Sequence, residues 1–239
     1  MTSTPPSSTA DRSVTPVAED YLKVVWSAHE WSDEPVTTSW LADRLGVGAS
    51  TVSETVKRLT DQGLLDHQRY GDITLTPAGR THALRMVRRH RVLETFLVAE
   101  LGYTWDEVHA EAEILEHAVS DELVDRMDER LGRPGRDPHG DPIPTADGTV
   151  HAPAAVVLAD LDAGLRARVA RISDADPHLL RYLAEVGLGL DAVVEVTAVR
   201  SFAGTLTLAW WPPDAPPPSG SVALELGLVA AGMVWVVPQ

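Results

Sequence analysis

Residues 37–65, TTSWLADRLGVGASTVSETVKRLTDQGLL, carry two short amphipathic helices joined by a glycine turn. Leu41, Ala42 and Leu45 form the inner face of the first, Gly46 ends it, Val47 is expected to plug the turn, and Val52, Val56 and Leu59 form the inner face of the second. Turned outward on the second helix are Ser50, Thr51, Glu54, Lys57 and Arg58. Short hydroxyls at a helix start with cations further along suit a helix laid in the major groove, its N-terminal end near base edges and its charges near phosphates. A helical hairpin inside a larger bundle would show the same periodicity. The next residues separate the two readings. Leu64, Leu65 and HQRYGDITLT predict two short strands around a Tyr70-Gly71-Asp72 turn, the wing of a winged helix-turn-helix, with Arg69 placed to meet a phosphate.

Upstream, Thr15 as N-cap and Pro16 at the first helical position open a helix through VAEDYLKVVWSAHEW, whose Tyr21, Leu22, Val25 and Trp26 supply a buried side. Asp20 lies in its second turn, where an acidic residue commonly serves only the helix dipole. Residues 1–14, rich in Ser, Thr and Pro, hold too little apolar surface to fold and are expected to be a disordered tail. Downstream, Thr76-Pro77 starts a long helix with Arg80, Arg85, Arg88, Arg89 and Arg91 in its first half. His90 and Glu94 stand four residues apart on one face of its second half. One helix is thus expected to connect a DNA-facing module to a metal-facing one.

The metal reading comes from Thr104–Leu123, TWDEVHAEAEILEHAVSDEL. Thr104 and Glu107 have the form of a capping box, and the run beyond has no Gly or Pro, so the whole stretch is expected to be one amphipathic helix. Val108, Ala112, Leu115, Val119 and Leu123 make one apolar stripe. Beside it lie His109, Glu113, Glu116 and His117, all lone-pair donors with no cation among them. Glu-x-x-His alone is usually surface charge. A second helix bearing His90 and Glu94, joined through a short Gly102 turn, favours a metal site instead.

The chain of 239 residues contains no cysteine, which excludes disulfides, zinc-thiolate sites, iron-sulfur clusters and thiol nucleophiles. A metal must be held by oxygen and nitrogen. The formal charge is -15, yet residues 37–94 hold nine basic and six acidic side chains and are the only net-basic segment. No apolar run approaches a membrane span and the N-terminus lacks a hydrophobic signal core, so no membrane partner and a cytoplasmic location are expected.

Residues 133–165 are rich in Pro and Gly and are expected to form an irregular connector. Its Asp137, His139 and Asp141 are read as turn formers, because Asp before Pro and Gly after His are loop signals. Residues 166–239 contain a short helix ended by Gly187 and several β-rich runs, enough for a small β-barrel. Ser201 and Ser221 have no evident His and Asp partners, and no phosphate-cradling loop is present, so no enzyme is read here. The expected fold is mainly α with small β parts: a tail (1–14), a winged helix-turn-helix (15–80), a helical module (81–132), a connector (133–165) and a barrel (166–239).

The winged helix-turn-helix preceded by AEDYLKVVW, then VRRHRVLETFL, VHAEAEILEHAVSDEL, DPHGDPIP and the terminal barrel, resembles the diphtheria-toxin-repressor (DtxR) family of metal-dependent transcriptional repressors. Within it the chain is most similar to the long, three-domain manganese regulators of the MntR type. The resemblance implies a helical dimerisation and metal-binding domain and an SH3-like (FeoA-like) barrel. It implies a primary site of Asp20, Glu113, Glu116 and His117, and a second site of His90, Glu94 and His109. Some relatives complete that second site from the barrel, at positions matching Arg171 and Asp174; Arg171 cannot ligate a cation, which leaves Asp174. Short manganese regulators carry a Glu where this chain has Lys23, which argues against a closely bridged pair of ions.

Iron-responsive members carry Met and Cys at the positions of Asp20 and Glu113, so the resemblance points to Mn(II) as cofactor, with Fe(II), Zn(II) and other divalent metals left open. The function implied is a Mn(II)-activated DNA-binding regulator of metal-homeostasis genes. It would act as a homodimer, through the stripe continued by Val119, Leu123, Met127 and Leu131, on an inverted-repeat operator. An Fe(II)-responsive repressor of the same family is the alternative. A metallohydrolase is a more distant one, since it would need an open coordination position beside a base and no winged helix.

Overall fold

The computed structural model describes residues 14–67, 71–215, 217 and 220–239. Gln68, Arg69 and Tyr70 of the expected wing lie outside the described residues, as do residues 1–13 of the expected tail. The chain divides into two compact units, residues 1–86 and 87–239.

In the first unit, helix α1 spans Pro16–Trp31, with Thr15 accepting a hydrogen bond from the Ala18 amide and Pro16 in the first turn. Helix α2 (Thr38–Leu45) is capped by Thr37 and closed by Gly46 in the left-handed conformation (φ 66°). Helix α3 (Ala49–Asp61) follows after the short turn. Strands β1 (Leu65–His67) and β2 (Ile73–Leu75) pair antiparallel, with Asp66 opposite Thr74. The core joins Tyr21, Leu22 and Val25 of α1 to Leu41, Val52, Val56, Leu59, Leu65 and Ile73, as the apolar spacing requires. Val47 departs from expectation: it follows the left-handed Gly46 and is exposed, and the core between α2 and α3 is made by Leu41, Val52, Val56 and Leu59 without it.

Helix α4 runs over Pro77–Leu101, its first turn capped by the Thr76 hydroxyl, which accepts from the Gly79 amide at 3.1 Å. Beyond Met86 it belongs to the second unit. Its middle is buried on nearly every side, from Ala83 through Leu97, so it serves as a central helix rather than a surface one. Two of its arginines accordingly face inward, against the expectation of a basic, DNA-facing first half. Arg88 bonds Asp128 at 2.9 Å and the Pro144 carbonyl at 3.2 Å, and Arg91 bonds the Pro142 carbonyl at 2.7 Å.

The single helix expected over 104–123 is two. Helix α5 spans Val108–Leu115 and α6 spans Asp121–Arg130. The break has a local cause: Ser120 is extended (ψ 154°), accepts from the Leu123 amide, and is followed by Asp121 and Glu122 in the first turn of α6. Thr104 does bond Glu107 at 2.8 Å, but the pair closes a turn ahead of α5 and Glu107 itself precedes the first helical residue. Val108 and Ala112 pack with Leu93 and Leu97 in a core joined by Leu115, Val119 and Met127. Much of the apolar stripe is therefore spent inside the subunit, and Leu123 and Ile114 stay exposed.

The C-terminal β domain is one six-stranded antiparallel sheet. Its strands are β3 (Val156–Val157), β4 (Arg166–Ile172), β5 (Val193–Arg200), β6 (Thr205–Trp211), β7 (Val222–Gly227) and β8 (Val234–Pro238), in spatial order β3-β8-β4-β5-β6-β7. Helix α7 (Pro177–Val186), capped by Asp176, covers its core with Leu179, Leu180 and Leu183. Helix α8 (Leu228–Ala231) is a single turn between β7 and β8. The end of the connector is folded onto this domain: β3 pairs with β8, and Leu158 and Leu161 lie in its core. No helix among the described residues is long and apolar enough to cross a membrane.

Candidate metal centre

The second unit brings one ligand atom from each of His90, Glu94, His109 and Asp174 to within 4.8 Å of one another. Helical spacing presents His90 and Glu94 on one face of α4, with His90 Nε2 3.0 Å from Glu94 Oε1. Helix α5 adds His109, whose Nδ1 is 3.2 Å from the same oxygen. The segment after β4 adds Asp174, with Oδ2 2.9 Å from His109 Nδ1. Glu94 is nearly fully buried, whereas His109 and Asp174 are half-buried.

His90 is shared between two carboxylates. Its Nδ1 lies 2.6 Å from Glu116 Oε2 while its Nε2 faces Glu94. Glu116 is buried just past the end of α5, His117 stands beside it with Nε2 at 3.7 Å from Glu116 Oε1, and Glu113 is exposed with Oε1 3.7 Å from His109 Nε2. Ligand atoms of His90, Glu113 and Glu116 also gather within 4.8 Å. Asp20, the remaining member of the expected primary set, is half-buried on α1 in the first unit.

The connector contributes residues that sequence reasoning had set aside. Asp137 does form the expected turn, its Oδ1 accepting from the amides of His139 (2.8 Å) and Asp141 (3.0 Å). Yet Asp137, His139 and Asp141 are all buried, and ligand atoms of Glu94, Asp137 and His139 form a further group within 4.8 Å. His139 Nε2 pairs with the Trp105 carbonyl at 2.6 Å, and its ring stacks with the Trp105 indole at 6.3 Å between centroids. Its Nδ1 points toward Glu94 Oε2 at 3.8 Å, too long for a hydrogen bond, and is a buried atom with no hydrogen-bond partner among the described residues. The signal that could have found these residues is the pairing of two acids and an imidazole within five positions; turn chemistry accounts for the backbone but not for the imidazole.

Burial would push the Glu94 carboxyl up, but the charge of His90 and the nearby imidazoles of His109 and His139 hold it well below its usual value. Burial would likewise lower His109; Asp174 and Glu94 override it and raise the imidazole to about 10. His139 is pulled down by burial and up by Glu94, Asp137 and Asp174, with the result at about 9. Asp174, which burial would raise, is instead depressed by His109. Asp137 is raised well above its usual value by burial and by the charges of Asp141 and Glu94.

The raised imidazoles of His109 and His139 favour their cationic forms beside Glu94 and Asp174, and a divalent cation would neutralise the same carboxylates through the same nitrogen lone pairs. The donors are nitrogen and oxygen throughout, and an orphaned buried imidazole nitrogen points at the central carboxylate. Such a set fits a divalent cation of the manganese-to-zinc series.

The five expected recognition residues with described side chains, Ser50, Thr51, Glu54, Lys57 and Arg58, are all exposed on α3. The Lys57 ammonium is engaged by Asp61 on the same helix at 2.5 Å.

Comparison with known proteins identifies the domains. Residues 13–73 match the family described as iron dependent repressor, N-terminal DNA binding domain. Residues 76–145 match iron dependent repressor, metal binding and dimerisation domain, and residues 156–210 match the FeoA domain. A solved structure described as a manganese-dependent transcriptional repressor in complex with manganese is 55% identical, with a TM-score of 0.87, over 93% of this chain and 100% of that one. The diphtheria toxin repressor of Corynebacterium glutamicum is 30% identical over 188 residues, 74% of this chain and 82% of that protein. The iron-dependent repressor IdeR of Mycobacterium leprae is 37% identical over 126 residues, 53% of this chain and 54% of that relative, so the match spans about half its length. With winged helix, helical ligand cluster and FeoA-type β domain matched in order along one chain, the protein belongs to the DtxR family of metal-dependent transcriptional repressors.

Proposed function

We propose that this chain is a Mn(II)-activated repressor that binds an inverted-repeat operator as a dimer and controls genes of metal homeostasis. The observation that carries the reading is the convergence of His90, Glu94, His109 and Asp174, a ligand set without sulfur, in a chain of this family. In the proposal these four hold a second ion, with His139 able to join them, and Asp20, Glu113, Glu116 and His117 hold the primary one. A bound cation supplies the positive charge that these clustered carboxylates otherwise take from protons. Asp20 and Glu113 are hard donors and suit Mn(II); the manganese-dependent neighbours at 55% and 48% identity support that choice over Fe(II), for which the IdeR relatives are named.

On the DNA side, the proposal assigns base edges to Ser50, Thr51 and Glu54, exposed on α3, and phosphates to Lys57 and Arg58 of the same helix, with Arg69 added from the sequence alone. The dimer would use the apolar residues of α5 and α6 that the subunit leaves exposed, Ile114 and Leu123. The test is selection from a random duplex pool with Mn(II), with Fe(II) held reduced, with Zn(II), and with chelator. An inverted repeat enriched best with Mn(II) and absent with chelator is expected; equal enrichment with chelator would refute metal activation.

A further inference from the structure

We infer that residues 137–141 of the connector act as a clamp that fixes the β domain to helix α4, and that Gly140 and Arg171 are positioning residues for Asp174. The inference rests on the proposed reading of Asp174 as a metal ligand and goes beyond it by saying what places that ligand.

Six contacts carry it. Gly140 adopts φ +95°, and a Cβ added there would lie 2.1 Å from the Ala170 carbonyl oxygen and 2.9 Å from the Arg171 Cα. Only glycine permits both that conformation and that approach to β4. The Ile172 amide donates to the His139 carbonyl at 2.9 Å, which ties the strand to the connector backbone. Arg171 Nε donates to Asp141 Oδ1 at 2.7 Å, and its guanidinium lies 4.2 Å over the Trp235 ring of the neighbouring strand. On the other side, Arg91 of α4 donates to the Pro142 carbonyl at 2.7 Å and reaches Asp141 at 3.4 Å.

The order of these contacts along the chain gives the argument its force. Arg91 sits one turn before Glu94 on α4, so the turn that holds the connector is adjacent to the turn that presents the central carboxylate. Arg171 and Ile172 end β4, and Asp174 follows two residues later, 2.9 Å from His109. The β domain is thereby registered against the helix that carries His90 and Glu94. Buried ion pairs of this kind add little net stability but penalise every other arrangement of the groups they join, which suits a device for position.

The experiment titrates Mn(II) against wild type, Gly140→Ala, Arg171→Gln, Arg171→Lys and Asp174→Asn, reading free ion by electron paramagnetic resonance. Amide exchange at Ile172 is followed in the same proteins without metal. Wild type is expected to bind two ions and Asp174→Asn to lose one. Gly140→Ala and Arg171→Gln should weaken that same ion at least tenfold, leave the other at wild-type affinity, and deprotect the Ile172 amide. Arg171→Lys, which keeps the charge on Asp141, should recover part of the loss. If Gly140→Ala does not fold, the Arg171 variants decide alone. Arg171→Gln binding both ions as wild type does, while Asp174→Asn loses one, would overturn the clamp and spare the ligand assignment. Asp174→Asn retaining both ions would remove the ligand assignment and the clamp with it.

Discussion

At the scale of single residues, His90 stands between two buried acids. Its two nitrogens face two carboxylates, Glu116 at 2.6 Å and Glu94 at 3.0 Å, each about 1% exposed. Replacing it with Ala strips the closest imidazole from both acids, and breaking a buried pair from one side costs roughly 3–5 kcal/mol. Urea unfolding of metal-free His90→Ala should show a loss of that order; a loss below about 1 kcal/mol would mean that water already solvates the acids. In the proposal metal preference is set elsewhere, at Asp20 and Glu113. Exchanging them for Met and Cys should weaken Mn(II) more than Fe(II), Co(II) or Ni(II) in a DNA-retention assay, with fold and dimer intact; an unchanged Mn(II) response would make both residues surface acids. His90 and Glu94 were legible in the sequence because i, i+4 spacing on a helix is a local fact. His139 and Asp137 were not, since the turn they form looks the same exposed or buried, and only the packing of the β domain and α4 around it makes their side chains internal.

At the scale of elements, the sequence predicts α1 to α3 and both wing strands from their caps, periodicity and glycine turn, and each is found. The break between α5 and α6 was hidden because Ser120 inside a run without Gly or Pro reads as a tolerated helical residue. What decides it is the extended backbone of Ser120, whose hydroxyl accepts from the Leu123 amide at 3.2 Å. Ser120→Ala should cost about 1 kcal/mol in denaturant unfolding if this cap defines α6, and no measurable amount if the helices are continuous in solution. On α3, the Lys57–Asp61 pair modifies the expected phosphate contacts. Arg58→Ala should flatten the salt dependence of DNA binding by about one unit of slope. Asp61→Ala, which frees Lys57 and removes a negative charge, should tighten binding to every sequence; weaker binding would show that Asp61 itself contacts the operator.

At the scale of the whole molecule, two units with separate cores share one continuous helix, α4, which leaves the first unit at Met86 and carries His90 and Glu94 in the second. Function as a metal switch requires that ion binding in one unit bear on DNA binding by the other. In the proposal the primary ligands, as the family resemblance implies them, are Asp20 on α1 and Glu113, Glu116 and His117 on α5 and the turn beyond it. A switch from mostly inactive to mostly active needs about 5.5 kcal/mol of differential metal binding between the two states. The most direct measurement is retention of a selected inverted-repeat duplex as free Mn(II) is raised, with wild type beside Glu116→Gln/His117→Ala. Wild type should pass from no retention in chelator to full retention with Mn(II), and the variant should stay unbound at every Mn(II) concentration that saturates wild type. Equal retention of both proteins in chelator would contradict the account at its centre.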